Sequence, residues 1–421
     1  MRPTGVHPLY YSADKYQPPA DWDIRTVKDY AIPVKGKMPK TLLEEPTPNS
    51  LPYLLIDGLG EGESLYTEEA NLPTIDVSDI VIVADGSRSG LAIRGVRGVL
   101  GSTLLAYKAN EGYDPDYLFF ILESLYPYNN TSTIGGAIPH LDKRLLAKLT
   151  LATPKEDEQR RIAAVLKLAD NAIAKAKAEL EATRELKRSL MQTLFVSGMP
   201  GRHSGFVETK IGYVPKGWRI KQLGEVLVSS QYGLSESMSE SGCFPILRMN
   251  NIDNGIVNAN DVKYIDLDDA TFEVFRLKAG DILFNRTNSI EYVGRVGIVN
   301  EDMDAVFASY LVRLTVDTSQ IDPWFLNFSL NSMQVKNRYR RYATPAVQQA
   351  NINPRNLKKT LFTFPSLEDS NEQQEIIGVL RSVDDSIISL SNKIIALQQV
   401  KKSLLQNLLT GKIRIPEGGY Q

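Results

Sequence analysis

The chain is poor in the residues that most site chemistry requires. It has one cysteine, Cys243, and three histidines in 421 residues. A single cysteine closes no intramolecular disulfide, so a reducing, cytoplasmic setting is expected. The histidines are scattered, and with one cysteine they compose neither a zinc site nor a Ser-His-Asp arrangement. Long apolar runs are missing too. Ile80 to Ala84 is typical of those present and is far short of the roughly 20 residues a membrane helix needs, so no membrane partner is expected. Arg2 is followed by no apolar stretch, so no signal peptide is visible. No glycine loop ending in Lys-Ser or Lys-Thr occurs. Asn353-Pro354-Arg355 is not the Asn-Pro-Pro-aromatic tetrapeptide of amino-methylating enzymes, and no lysine follows two residues after a carboxylate around Asp116 and Glu123 as in metal nucleases. Net charge is −2 and the pI about 6.1. That weighs against a free-standing, non-specific nucleic-acid binder. It leaves room for one with its basic residues on one face, or one working beside a basic partner.

What is present is a duplication. Ile162, Leu166, Ala169, Ile173, Ala176, Leu180, Thr183, Lys187, Leu190 and Leu194 follow one another in alternating steps of four and three. Two hundred and fourteen residues later the same slots hold Ile376, Leu380, Val383, Ile387, Leu390, Ile394, Leu397, Lys401, Leu404 and Leu408. Identity extends off the stripe, with Glu158-Gln159 matching Glu372-Gln373 and Lys187 to Leu190 matching Lys401 to Leu404 in register. A 3.5-residue step held for more than four heptads predicts a long helix packed along its length. About 40 residues at 1.5 Å each make a rod of roughly 60 Å. Ala169, Ala176 and Thr183 are small where Val383, Leu390 and Leu397 are larger, which suits two helices packed on each other. The two rods are therefore expected to pair, antiparallel. The plainer alternative is that each is an amphipathic helix over its own domain.

Hydrophobic content of 43% and charged content of 23% are those of a globular protein, and the length predicts two or three domains. The expected fold class is α+β, with two globular domains (1–152 and 199–369) and two long helices (153–198 and 370–421, the latter with a tail). The first globe opens on a proline-rich run, Tyr16 to Trp22. Pro52 to Ile56 and Asp79 to Val83 read as strands, Arg88 to Arg97 as a loop or hairpin, and Asp116 to Leu125 as a helix. Asp142 reads as the N-cap of a short helix, and Thr153-Pro154-Lys155-Glu156 as a capping box for the first rod, which Gly198 stops. The second globe repeats the order weakly. Pro215 to Trp218, Pro245 to Arg248, Gly280 to Phe284 and Ile352-Asn353 stand where the Trp22 run, Pro52 to Leu55, Ser78 to Ile82 and Leu141-Asp142 stood.

The globes carry basic and amide-rich loops. Lys336, Arg338, Tyr339, Arg340, Arg341 and Tyr342 interleave cations with aromatic rings, as phosphate contact and base stacking require. Gln348, Gln349 and Asn351 follow, and such amides bond adenine edges. Arg248, Asn250 and Asn251, and Arg286 and Asn288, end strands in the same half. Arg88, Arg94, Arg97, Lys143 and Arg144 are the parallel set in the first half. Taken singly, each reads sooner as a solvated loop residue or ion-pair partner than as a DNA contact. Gly58-Leu59-Gly60-Glu61-Gly62 follows an apolar strand, but no sealing helix comes after it, so a surface turn is expected rather than a cofactor loop.

With these features the chain resembles the specificity (S) subunits of type I restriction–modification systems. Glu158-Gln159…Ile162…Leu166 and Glu372-Gln373…Ile376…Leu380 carry the resemblance. So do Lys187 to Gln192, Lys401 to Gln406, Gly411 to Ile415, Pro215 to Trp218 and Gly280 to Leu283. The resemblance implies two target-recognition domains, each reading one half of a split double-stranded DNA sequence, with the paired helices fixing the gap. It implies two DNA adenine methyltransferase subunits and endonuclease (translocase) subunits as partners. It implies no catalysis and no cofactor in this chain, since AdoMet belongs to the methyltransferase and ATP and Mg²⁺ to the endonuclease. A scaffold that pairs helices without touching DNA, and an enzyme with a diverged glycine loop, are the readings from other classes.

Overall fold

The computed structural model describes residues 17–56, 65–134, 138–289, 292–345, 350–367 and 371–416. Two compact units result, 1–178 with 392–421 and 179–391. The division runs through the long helices rather than at their ends, where the expected domain boundaries lie. Tyr16 and the Gly58 to Gly62 turn fall outside the described residues.

The first long helix spans Glu156–Ser197, 42 residues, and the second Glu372–Leu408, 37 residues. Gly198 and Gly411 end them in the left-handed region, with φ of +72° and +68°, where a Cβ is strained. The capping box expected at Thr153 does not form. Thr153 closes the strand Thr150–Thr153, is buried, and its hydroxyl hydrogen-bonds the Tyr30 hydroxyl at 2.5 Å. The Tyr30 hydroxyl takes that side chain, and the helix begins only at Glu156.

The helices pair antiparallel within each unit. In the first, Asp170 meets Lys401 at 2.6 Å, and Ile162, Leu166, Ile173 and Ala176 of one helix are buried with Ile394 and Leu408 of the other. In the second, Lys187 meets Asp384 at 2.5 Å, and Leu180 and Leu194 are buried with Ile376, Leu380, Val383 and Ile387. The repeating stripe is thus the packed stripe. Its ends belong to the globular cores: Ile162, Leu166 and Leu408 to one, Leu194, Ile376 and Leu380 to the other.

The globular parts share a plan. In the first, an antiparallel sheet orders Ala31–Lys35, Leu104–Ala109, Ile80–Val83 and Ala92–Ile93. In the second, Leu227–Tyr232, Leu311–Val316, Ile282–Asn285 and Val296–Ile298 stand in the same order, with two short strands added. Both contain a parallel pairing beside this sheet, Leu51–Leu54 with Gly98–Leu100 and Phe244–Leu247 with Val306–Phe307. Ile80–Val83 and Ile282–Asn285 are buried throughout, the first an unbroken apolar run and the second apolar up to the buried Asn285. Gly36 and Gly233 end the first strand of each sheet. A Cβ there would overlap the carbonyl oxygens of Gly101 and Ala308, so both positions demand glycine.

Each globular part seats on the start of one long helix through the same five groups. The Trp22 indole N–H donates to Glu158 at 3.1 Å, and that of Trp218 to Glu372 at 3.0 Å. The Gln159 carboxamide accepts from the Asp114 N–H and donates to the Pro154 carbonyl, both at 3.0 Å. Gln373 accepts from Asp322 at 2.9 Å and donates to Pro365 at 2.7 Å. All four side chains, the two glutamates and the two glutamines, are buried. Gln373→Ala strands two buried backbone groups and is expected to cost about 1–3 kcal/mol, read as a lower urea midpoint. Its exposed neighbour Gln374 should tolerate the same change within about 0.5 kcal/mol.

Candidate nucleic-acid interface

The densest basic stretch folds as a helix, Met333–Arg340, started by the Ser332 side chain as N-cap. A helix divides its residues between faces, and this splits the predicted cluster. Tyr339 points inward with no exposed area, and its hydroxyl donates to the Gly294 and Leu330 carbonyls at 2.7 and 3.2 Å. Burial pushes that hydroxyl's pKa up. Tyr339 is therefore a core residue and not a base-stacking one, a correction to the expected set. Arg338 is turned the same way in part, donating to the Leu361 and Ile211 carbonyls at 3.2 and 3.1 Å, and Tyr342 packs half-buried against the same core.

Lys336 is half-buried at the flank of the helix, Arg340 is half-buried with its guanidinium 3.5 Å from the Val293 carbonyl, and Arg341 is exposed beyond the helix end. Arg295 joins them from a neighbouring loop, its guanidinium 4.3 Å from the Tyr292 ring centre. Burial, then the like charges of Arg340 and Arg295, hold the Lys336 ammonium below the ordinary lysine range. An anion arriving there would relieve that repulsion. Lys336, Arg295, Arg188 and Asn254 line a cleft of about 280 Å³. Arg295 carries no signal in the sequence because it stands alone between Gly294 and Val296. No local density of charge marks it, and only folding brings it to Lys336.

A three-stranded sheet of Thr287–Asn288, Ala350–Ile352 and Ala343–Pro345 brings the Arg286 loop to the chain that follows this helix. Asn351 donates to the Thr287 hydroxyl at 2.9 Å, and Arg286 lies 5.1 Å over the Tyr232 ring. The Asn288 carboxamide accepts from the Ser289 N–H at 2.8 Å. Gln348 and Gln349 lie outside the described residues. The Arg248 loop is committed to its own shape. Arg248 and Asn250 both donate to Asp261, at 3.3 and 2.9 Å. Asn251 is fully buried and bonds Arg248 N–H and the Asn260 carbonyl, so it is corrected from a base reader to a turn-holding residue.

The first unit's set is dispersed in role. Arg94 pairs with Asp116 and lies 4.6 Å over the Phe119 ring, so it too is corrected to a packing role. Arg88 donates to the Ile56 carbonyl at 3.1 Å but stays exposed, as do Arg97, Lys143 and Arg144. Asp142 caps the helix Lys143–Lys148 as expected and so presents those last two at its start. Among the described residues no group of His, Cys, Asp and Glu is arranged to hold a metal, and no helix is long and apolar enough to cross a membrane.

The chain is similar to known proteins over most of its length. The sequence profile described as type I restriction modification DNA specificity domain matches residues 19–182 and again 215–399. The type I restriction enzyme MjaVIII specificity subunit of Methanocaldococcus jannaschii is 28% identical over 407 residues, 94% of each chain. The EcoKI specificity subunit of Escherichia coli K12 is 23% identical over 302 residues, 70% of this chain and 64% of that one. In fold, the chain resembles the crystal structure of a type I restriction–modification S subunit from M. genitalium. That match has a TM-score of 0.59 and 15% identity, over 96% of this chain and 99% of that one.

Tyr339→Phe removes one hydroxyl from two buried carbonyls. It is expected to lower the unfolding free energy by about 1–3 kcal/mol, read as a lower urea midpoint. An unchanged midpoint would remove the Tyr339 hydroxyl from the hydrogen bonds that hold this core.

Proposed function

The chain belongs to the type I restriction modification DNA specificity family, and we propose that it reads a bipartite DNA target for a methyltransferase complex. One observation carries the reading. The family's domain occurs twice in the chain, and each copy seats on the start of one of two paired helices. Two copies of a reader imply two half-sites, and paired helices of fixed length imply one gap between them. Each half-site would be read in the major groove, where every base pair is distinguishable. Lys336, Arg295 and Arg341 position the second domain on phosphates, and the Arg286–Asn288 loop with Asn351 supplies base contacts. Arg88, Arg97, Lys143 and Arg144 are the exposed cations proposed to serve the first domain.

The chain does no chemistry in this reading. Adenine methylation, with its AdoMet, comes from two docked methyltransferase subunits. ATP, Mg²⁺ and cleavage come from endonuclease subunits. A chain with net charge −2 binds DNA best where partner subunits contribute further phosphate contacts, because the salt-dependent part of affinity scales with phosphates neutralised.

Co-expression with its methyltransferase subunit in a host lacking adenine methylation, followed by sequencing of methyl-adenine, tests the reading. A single split motif with one fixed gap is expected. No methylation from a complex that co-purifies would leave a scaffold instead. Replacing Arg295, Lys336 and Arg341 together by Ala is expected to flatten the log affinity against log salt slope, by roughly 0.9 for each phosphate no longer neutralised. An unchanged slope would remove these residues from the DNA.

A further inference from the structure

Lys187 and Lys401 are the one charged member of each stripe, and the structure gives them one environment twice. Lys187 pairs with Asp384 of the other helix at 2.5 Å, and its ammonium lies 5.6 Å from the Phe328 ring centre. Lys401 pairs with Asp170 of the other helix at 2.6 Å and lies 5.5 Å from the Phe120 ring centre. It also meets Glu123 at 2.7 Å. The same 214-residue offset that relates the lysines relates Asp170 to Asp384. Each lysine therefore touches the opposite helix and a helix of its own globular part at once.

These pairs are poor sources of stability. The side chains of Lys187 and Asp384 are 15% and 13% exposed, so both charges are largely desolvated. The second carboxylate oxygen of Asp384, and that of Glu123, is buried with no hydrogen-bond partner. Burial pushes the Asp384 carboxyl up, against the pull of Lys187. Pairs of this kind are often no better than a well-packed apolar replacement. Their strength is selectivity, because a displaced register buries an unpaired charge, whereas a leucine stripe slipped by one heptad finds leucine again. The offset makes the selection collective, since a slip that breaks one pair breaks the other.

We infer that Lys187–Asp384 and Lys401–Asp170 lock the register of the paired helices and thereby set the gap between the two half-sites. These are positioning residues, and the inference rests on the bipartite-target reading above. One heptad of slip is about 10.5 Å along a helix, which is about three base pairs at 3.4 Å each.

The test is methyl-adenine mapping with the full chain and its methyltransferase. Wild type must first give one split motif; if it gives none, the bipartite reading itself fails, whatever the variants do. Converting both pairs, and the Glu123 that also meets Lys401, to apolar residues (Lys187→Met, Asp384→Leu, Lys401→Met, Asp170→Leu, Glu123→Leu) is expected to keep both half-sites and add a second gap, displaced by about three base pairs. Melting should be no lower than wild type. A single unchanged gap would overturn the inference, leaving register to packing alone. Exchanging one pair, Lys187→Asp with Asp384→Lys, tests the same point without removing charge. It should retain the single gap, whereas Lys187→Asp alone should broaden the gap or abolish methylation. If the exchange behaves like the single reversal, or the single reversal like wild type, the inference is also overturned. Should the apolar variant fail to accumulate folded, the exchange and the single reversal decide.

Discussion

The structure depends on how a polar helix start is buried. The first turns of a long helix leave backbone N–H groups unpaired, and here two such starts sit inside globular parts. Glu158 and Glu372 accept from the indoles of Trp22 and Trp218, and Gln159 and Gln373 bridge an N–H to a carbonyl. Those N–H groups belong to Asp114 and Asp322, which themselves cap the helices Pro115–Ser124 and Pro323–Asn331. The glutamine thus orients a second helix relative to the first. A buried amide works this way only when each of its groups has a partner. That requirement fixes the globular part's angle on its rod more sharply than apolar contact would.

The two joints differ where the requirement loosens. Glu158 is completed by Arg414, which also holds Asp21 at 2.9 Å. Glu372 is completed by the Met199 N–H at 2.8 Å and by His203. Both solutions give the carboxylate donors from beyond the far end of a long helix, by different residues. The buried geometry has been kept and the partially exposed member has been free to change.

What was legible in the sequence follows the same division. Periodicity revealed both rods and their shared stripe, because a 3.5-residue repeat is enforced by every contact along the seam; the antiparallel sense followed from the large domain that separates the two repeats. The counterpart tryptophans and the Asp142 cap were legible because short motifs carry them, and Asn353, which stands where Asp142 stood, caps the helix Pro354–Leu357. The basic interface was legible only in part. A run of charges reads as one surface, yet in Met333–Arg340 the helical period sends Tyr339 into the core and Lys336 outward. Arg94 and Asn251 looked available because their partners, Asp116 and Asn260, are revealed only by the folded loops. Arg295 went unnoticed for the converse reason.

The duplicated chain therefore holds two kinds of constraint that act at different places. At joints and seams a substitution must preserve a buried hydrogen bond, a buried charge pair or a packed volume, each restrictive at the scale of about 1–3 kcal/mol. On the loops that would meet DNA, exposed side chains sacrifice little stability when exchanged. A recognition surface can then diverge between the halves while the frame that presents it stays nearly fixed. This accounts for long helices whose residues align at one offset, and for loops, Arg88 to Arg97 against Arg286 to Arg295, in which Gly90 and Gly294 keep one place, bonding the Val83 and Asn285 carbonyls, while most side chains differ.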